Sequence, residues 1–332
     1  MFTYIVRRVL WLVPVMLLVS LVTFILMKNT PGGPWDRDLT ARQVDATTQA
    51  MLNKFYGLDK PLWRQYVAYV VGDFDSDGKL VCGLLCGNLG PSYRMRGLSI
   101  QEILFNPPEG KPLWDSRFGF SARLGLLALG MAIFVGIPVG VIAALKQNSL
   151  VDYLSLFITT VGISIPNFVM AIFLIIIFAS WLHLVTVITN DWSEFRSWIL
   201  PALVLGFTTT AYTARLTRSA MLEVIRQDYV RTARAKGLEE RAVITRHMLK
   251  NALIPVVTIL GPALAGLVVG SFIIETMFGF PGIGRAYVTS IFQRDYSMIM
   301  GTTLVYALMV AVANLSVDVI YVFLDPRIRL TE

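Results

Sequence analysis

Long apolar runs alternate with short charged segments along the chain. A helix needs roughly 20 residues to cross a bilayer core about 30 Å thick. Six runs reach that length and predict six transmembrane helices: Val9 to Met27, Ala122 to Leu145, Val151 to Leu182, Trp198 to Leu216, Ala252 to Met277 and Met298 to Leu324. Pro138, Pro166 and Pro262 fall inside three of them. Each removes a backbone hydrogen bond and invites a kink. The first run follows Arg7 and Arg8, as a secretory leader would. Its apolar part is too long for a leader, however, and it is followed by "KNTPGGP" rather than a small-x-small cleavage site, so it reads as an uncleaved span.

Composition agrees with this reading. The 332 residues are 55% hydrophobic and only 15% charged, the balance of an integral membrane protein. The expected fold class is therefore an all-α membrane protein. Residues 1–28 form its first helix, residues 29–121 a cap, and residues 122–332 a five-helix core with a charged loop at about 219–250. Basic residues near the ends of spans mark the cytoplasmic face. Placing Lys146, the stretch from Arg215 to Lys250, Arg327 and Arg329 inside puts both termini in the cytoplasm. The long loop between the first two spans crosses regardless of charge, which makes the cap extracytoplasmic. The net charge of +7 restates this bias and gives no reason to expect a nucleic-acid partner.

The cap opens with a helical pattern, "LDKPLWRQYVAYVV", which suits a docking surface or a cover for the bundle. Further on, "GDFDSDGKLVCGLLCGNLG" holds the two cysteines of the chain, Cys82 and Cys86. They read either as a disulfide, permitted on the outer side, or as two free thiols; a zinc site lacks neighbouring ligands. Asp73, Asp75, Asp77 and Gly78 match the start of a calcium loop, but its twelfth position is Leu84 where a bidentate glutamate belongs. The two readings are a bound calcium and a solvated acidic turn.

The charged stretch from Asp228 to Pro255 keeps a helical pattern, with Tyr229, Ala233, Lys236 and Gly237 near one face. Gly237 is a natural helix stop, and small residues at Ala233, Ala235 and Gly237 would let another surface approach the backbone. Such an element could lie on anionic lipid heads or be a solvated loop. The absence of large apolar anchors opposite its charges favours a protein partner.

At this point the residues carry a family resemblance. "DYVRTARAKGL" followed by "HMLKNALIPVVT" resembles the coupling segment of ABC importer permeases, and more narrowly of the dipeptide and oligopeptide type. "NTPGGP", "YGLDKPLWRQY", "GIPVGVIAALKQNSLVDY", "GISIPNF", "LPALVLG", "RLTRSAMLEV", "ETMFGFPGIGR" and "VDVIYVFLDPRIR" are similar to family signatures in the same order, over nearly the whole chain. Two departures stand out. Arg231, Thr232 and Ala233 occupy positions where the general pattern has Glu-Ala-Ala, a variation the peptide type shares. The acidic loop with its cysteine pair looks like an insertion in the cap.

The resemblance implies a type I ABC importer permease fold of six transmembrane helices in a prokaryotic cytoplasmic membrane. It also implies a homologous second permease, two cytoplasmic ATPase subunits and an extracytoplasmic substrate-binding protein as partners, besides membrane lipid. The coupling residues it points to are Asp228, Tyr229, Arg231, Thr232, Ala233, Arg234, Ala235, Lys236, Gly237 and Leu238, with the small residues setting the fit to an ATPase and Arg231, Arg234 and Lys236 as charged contacts. The chain has no G-x-x-x-x-G-K-[ST] phosphate loop, so ATP and magnesium are expected on the partners, and no catalytic arrangement can be assembled from its side chains. Peptides are the implied cargo; nickel complexes, glutathione and haem are carried by similar permeases. An ATP-independent channel or carrier would usually place several ionisable groups at mid-membrane, and Asp318 alone lies clearly inside a span.

A path for peptides needs hydrogen-bonding groups, and Thr208, Thr209, Thr210 and Tyr212 in the fourth span, with Ser164 and Asn167 around Pro166, are the candidates. The alternative is that these groups bond their own helix carbonyls. Gly266 and Gly270 form a G-x-x-x-G pair suited to close helix packing. Asp318 requires a partner, for which Arg215 or Arg218 is expected, as a structural lock or a gate.

Overall fold

The computed structural model describes residues 2–35, 45–74, 78–189, 191–268 and 271–324. The expected spans appear as helices, with the breaks where backbone chemistry demands them. Helix α1 runs Phe2–Asn29. The short helices α2 (Ala46–Phe55), α3 (Leu62–Val70) and α4 (Ile100–Phe105) follow. Helix α5 (Arg117–Met131) continues through a π-helical turn, Ala132–Gly136, into α6 (Ile137–Leu145). Pro138 sits at the start of α6 and has no N–H to give the preceding turn; the widened turn absorbs that loss without a break.

The run from Val151 to Leu182 is not one straight span. It divides into α7 (Leu150–Ser164) and α8 (Asn167–Ile175, extended by a π-helical turn to Trp181), bent by 107°. The cause is Pro166, whose backbone is extended (φ −57°, ψ 140°) and forces the residue before it out of the helix.

Helices α9 (Arg196–Ile225), α10 (Asp228–Ala235) and α11 (Glu240–Ala242) follow, then a π-helical turn at Val243–Met248 leading into α12 (Leu249–Val268). Helices α13 (Phe272–Met277), α14 (Ile283–Gln293) and α15 (Tyr296–Leu324) complete the order. Among the described residues four helices are long and apolar enough to cross a membrane, and α7 with α8 makes a fifth if the bent pair is one span. Helix α9, at 30 residues and therefore about 45 Å long, has the length to cross but is not apolar enough to be counted with these, and its second half carries Arg215, Arg218 and Glu223.

Contacts divide the chain into two units. The first comprises Met1–Val6, Phe120–Phe280 and Met309–Glu332. Its axis is α9, against which α6, α7, α8 and α12 all pack. Where α5, α6 and α7 meet α9, the contacts use missing side chains. A Cβ at Gly140 would collide with the carbonyl oxygen of Ala214 and lie 2.6 Å from Thr217 Cβ; one at Gly136 would lie 2.9 Å from Thr210 O; one at Gly162, 2.8 Å from Ala211 Cβ; and one at Gly206, 3.0 Å from Ala128 Cα. Close helix packing thus uses Gly136-x-x-x-Gly140. At the expected pair, the space around Gly266 is open within the chain, and Gly270 lies outside the described residues.

The second unit comprises Arg7–Gly119 and Pro281–Leu308. Residues 281–308 belong with the 29–119 insert because Asp295, only 3% exposed, gathers the insert's hydrogen bonds. Its Oδ2 accepts from Ser92 Oγ at 2.5 Å and Arg94 N–H at 3.4 Å, and its Oδ1 from Tyr93 N–H at 3.3 Å and Met298 N–H at 3.2 Å. A carboxylate so enclosed has to be paired.

The all-α expectation needs one amendment here: β1 (Gly72–Phe74) and β2 (Leu80–Cys82) form an antiparallel hairpin with Gly72 opposite Cys82. Gly83 lets this hairpin lie against α3, since a Cβ there would collide with the carbonyl oxygen of Tyr69. Cys82 and Cys86 are joined by a disulfide that closes the turn after β2.

Candidate functional site

Helix α10 is built to sit on a surface. Its dipole is matched at both ends, by Asp228 in the first turn and Arg234 in the last. It ends in a Schellman motif: Gly237 N–H donates to Arg234 O at 2.9 Å and Leu238 N–H to Ala233 O at 3.4 Å. Gly237 adopts φ +76°, which the motif requires and side chains with a Cβ resist.

Two residues face inward. Val230 and Ala233, one helical turn apart, are 0% and 5% exposed. They pack in a cluster with Ala144 of α6, Ala220 and Met221 of α9, Val243 and Met248 of the π-helical turn, and Ala252 of α12. This corrects the expectation for Ala233, which fills a socket in its own chain and is not free to set the fit to another protein. Valine and alanine three residues apart point the same way on a helix, whereas Ala235 and Gly237 remain exposed.

The outward face carries Asp228, Tyr229, Arg231, Thr232, Arg234, Ala235 and Lys236. Arg231 lies 3.6 Å from Asp228 with both side chains largely exposed, so this pair adds little stability. Arg234 is engaged within the chain: Nη2 and Nε donate to the Glu240 carboxylate at 2.6 and 3.1 Å, tying α10 to α11 across the Gly237 turn. Asn251 Nδ2 donates to Tyr229 Oη at 2.8 Å, which ties α10 to α12 as well.

Deeper in the same unit, Arg218 does not pair with Asp318. It grips Asp152 at the start of α7, with Nη2 donating to Oδ2 at 2.7 Å and Nε to Oδ1. The Asp152 side chain is 1% exposed, and its Oδ2 also accepts from the Asn148 N–H at 3.0 Å. Asp318 instead accepts a hydrogen bond from Tyr4 Oη at 3.0 Å, and Arg215 is exposed. Arg218 lies one turn beyond Ala214, on the side of α9 that meets α6 and α7, and this directs it to Asp152. The sequence signal for Asp152 was Ser149-x-x-Asp152, a helix-start pattern in which Ser149 caps α7 by accepting from the Asp152 N–H.

Of the candidate pathway groups, the structure brings two together. Thr208 Oγ1 donates to Asn167 Oδ1 at 2.5 Å and lies 3.2 Å from Gly162 O, so α9 is latched to the break between α7 and α8. Ser164 and Tyr212 are exposed on the chain; Thr209 O accepts from Thr213 within α9, and the buried Thr210 hydroxyl has no partner. Glu275, fully buried in α13, accepts from Ser121 Oγ at 2.7 Å.

Asp73, one of the three candidate calcium ligands, is taken by the Lys60 ammonium and also accepts from Phe74 N–H at 3.0 Å. The hydrogen bond from Lys60, then that from the Phe74 backbone, hold its carboxyl below the usual aspartate range. Asp75 and Asp77 lie outside the described residues. Among the described residues no group of three or more acidic, histidine or cysteine side chains converges as a metal site.

Comparison with known proteins covers nearly the whole chain. Residues 136–330 match the family model of binding-protein-dependent transport system inner membrane components, and residues 1–108 match the model of the N-terminal region of such membrane components. The chain is 38% identical over 327 residues to the dipeptide transport system permease protein of Bacillus subtilis, covering 98% of each. It is 35% identical over 329 residues to the oligopeptide transport system permease protein of Escherichia coli K12, covering 99% of this chain and all of that one. Among solved structures, an inward-facing form of the MetNI methionine ABC transporter aligns with a TM-score of 0.51 over 63% of this chain and 94% of the other, at 19% identity, a likeness of fold. The apolar helical architecture and the full-length matches lead to one conclusion: the chain belongs to the binding-protein-dependent inner membrane components, as a multi-pass ABC permease of the dipeptide and oligopeptide type.

Proposed function

We propose that this chain is the permease subunit of an ATP-driven importer that moves di- or oligopeptides across the cytoplasmic membrane after delivery by an extracytoplasmic binding protein. A homologous permease completes the translocation path, and two cytoplasmic ATPases bind and hydrolyse ATP with magnesium. Both termini and α10 then lie on the cytoplasmic side.

The observation that carries this reading is the seating of α10. Its inner face is fixed to the ends of α6, α9 and α12 through Val230 and Ala233, while its outer face presents Arg231, Thr232, Ala235 and Lys236. A partner that moves α10 therefore moves the spans with it. A two-state element responds to a ligand or partner only insofar as the contacts differ between the states, and a short helix with one anchored and one open face permits that. The peptide permeases of Bacillus subtilis and Escherichia coli, similar over essentially their full length, support the choice of cargo.

The test is uptake of labelled di- and oligopeptides into proteoliposomes holding the assembled complex, with ATP hydrolysis measured in parallel. Reversing charge on the open face, with Arg231→Glu and Lys236→Glu together, should lower ATP-driven uptake at least tenfold and leave folding unchanged. Full uptake by that variant would remove α10 from the coupling role, and no ATP-dependent uptake by the wild-type complex would overturn the reading.

A further inference from the structure

The insert unit encloses a half-open cavity of about 790 Å³, within the size range of small-ligand sites. Its lining is mostly apolar and aromatic, with Phe24, Tyr93 and Tyr296 among the walls. Three polar features of that lining are unsatisfied or uncompensated.

The first is Gln65. Its Nε2 donates to the carbonyl oxygens of Leu58 at 3.0 Å and Lys60 at 2.6 Å, which fixes the amide's orientation. Its Oε1 is thereby left buried with no donor. The second is Tyr69, one turn further along α3, whose buried hydroxyl has no hydrogen-bond partner. The third is charge. Lys28 holds its ammonium 5.6 Å from the Phe24 ring centroid and 5.5 Å from that of Tyr296, and among the described residues no carboxylate pairs with it. Lys54 adds a second cation at the rim, whereas the one carboxylate in the lining, Asp73, is already neutralised by Lys60.

A buried acceptor without a donor costs about 1–3 kcal/mol, so an occupant that supplies one is favoured. The cavity asks for an N–H group for Gln65 Oε1, a hydrogen-bonding group for Tyr69, an anion for Lys28 and an apolar or aromatic body for the ring-lined wall. We propose that it is a binding site for a small carboxylate of that composition, the chemistry of the C-terminal end of a short peptide with an apolar last residue. The choice of a peptide rests on the transport reading above; the site itself rests on the cavity.

The experiment is calorimetric titration of the full-length chain in phosphatidylcholine nanodiscs with the dipeptide Ala-Phe and with its C-terminal amide. Saturable binding of the acid is expected, weakened about tenfold or more by amidation and to the same degree by Lys28→Met, since hydrogen bonds to charged groups are the stronger ones. Tyr69→Phe and Gln65→Met should weaken it several-fold, with thermal midpoints showing that each variant folds. Equal affinity for acid and amide, or no saturable binding, would overturn the proposal. So would abolition of binding in phosphatidylglycerol nanodiscs of equal salt, which would make a lipid phosphate the occupant. ATP-driven uptake by the complex separates the two readings: uptake without cavity binding sinks the cavity site alone, and cavity binding without uptake sinks the transport reading alone.

Discussion

Arg218 of α9 and Asp152 of α7 form a two-point ion pair in which the carboxylate side chain is 1% exposed and the guanidinium side chain 18%. Breaking a buried pair by removing one partner leaves the other charge uncompensated and costs about 3–5 kcal/mol, whereas replacing both with apolar groups is close to neutral. Asp152→Ala is therefore expected to lower the thermal midpoint sharply in detergent. The double change Asp152→Leu with Arg218→Met should recover most of the loss. A double variant no more stable than the single one would contradict this account.

Gly140 allows α6 to rest on the backbone of α9 near Ala214 and Thr217. Neither the carbonyl oxygen nor the Cβ in its way can swing aside as a long side chain would. Gly140→Leu should block folding or destabilise by at least about 1–3 kcal/mol, measured as loss of monodisperse protein and of thermal midpoint. Gly266→Ala, which meets open space within the chain, should stay within about 0.5 kcal/mol of the wild type.

At Gly237 the constraint is the backbone angle and not space, because nothing lies within reach of an added Cβ. Gly237→Ala is expected to cost about 1 kcal/mol, with Gly237→Asn milder because asparagine tolerates the left-handed region. Hydrogen exchange at Leu238 and in the last turn of α10 should quicken in the alanine variant. Unchanged protection would show that the Schellman turn does not depend on the glycine.

Asp73 supplies a pH prediction. Its folded carboxyl is held below the ordinary aspartate range by Lys60, so its contribution to stability is complete above the unfolded value of about 4 and is lost as pH falls through the lower folded value. Thermal scans of the full chain from pH 6 down to pH 3 should show an acid decline that Lys60→Met makes shallower. An identical decline in the variant would place the acid sensitivity elsewhere.

The disulfide between Cys82 and Cys86 closes a short loop, for which chain entropy gives about 2 kcal/mol. Replacing both cysteines with serine should lower the thermal midpoint by a few degrees, to the same value the wild type reaches under reductant. A larger drop with reductant than with the double variant would point to damage elsewhere.

The helical architecture was legible in the sequence because span length and apolar content are local properties. The break at Pro166 was legible only as an invitation to kink; the 107° bend also depends on α9 receiving both halves through Gly162 and Thr208. Helix α10 was legible down to its glycine stop, but not the inward turn of Ala233, because a small residue on a short helix suits either face until its neighbours are known. Asp152 and Asp295 escaped notice for a related reason: each lies beside a span end, where an isolated aspartate looks solvated, and each has side-chain partners 66 or about 200 residues away.

The glycine contacts along α9 have a mechanical consequence. Where helices meet through side chains, a small displacement can be taken up by rotamer changes at the interface. At Gly136, Gly140 and Gly206 there is little such slack, because backbone atoms of the neighbouring helix lie within about 3 Å of where a Cβ would stand. A displacement at the Val230 and Ala233 socket would meet α6 and α9 where they touch through backbone, and the π-helical turns at Ala132–Gly136, Ile176–Trp181 and Val243–Met248 are the places where these helices could give.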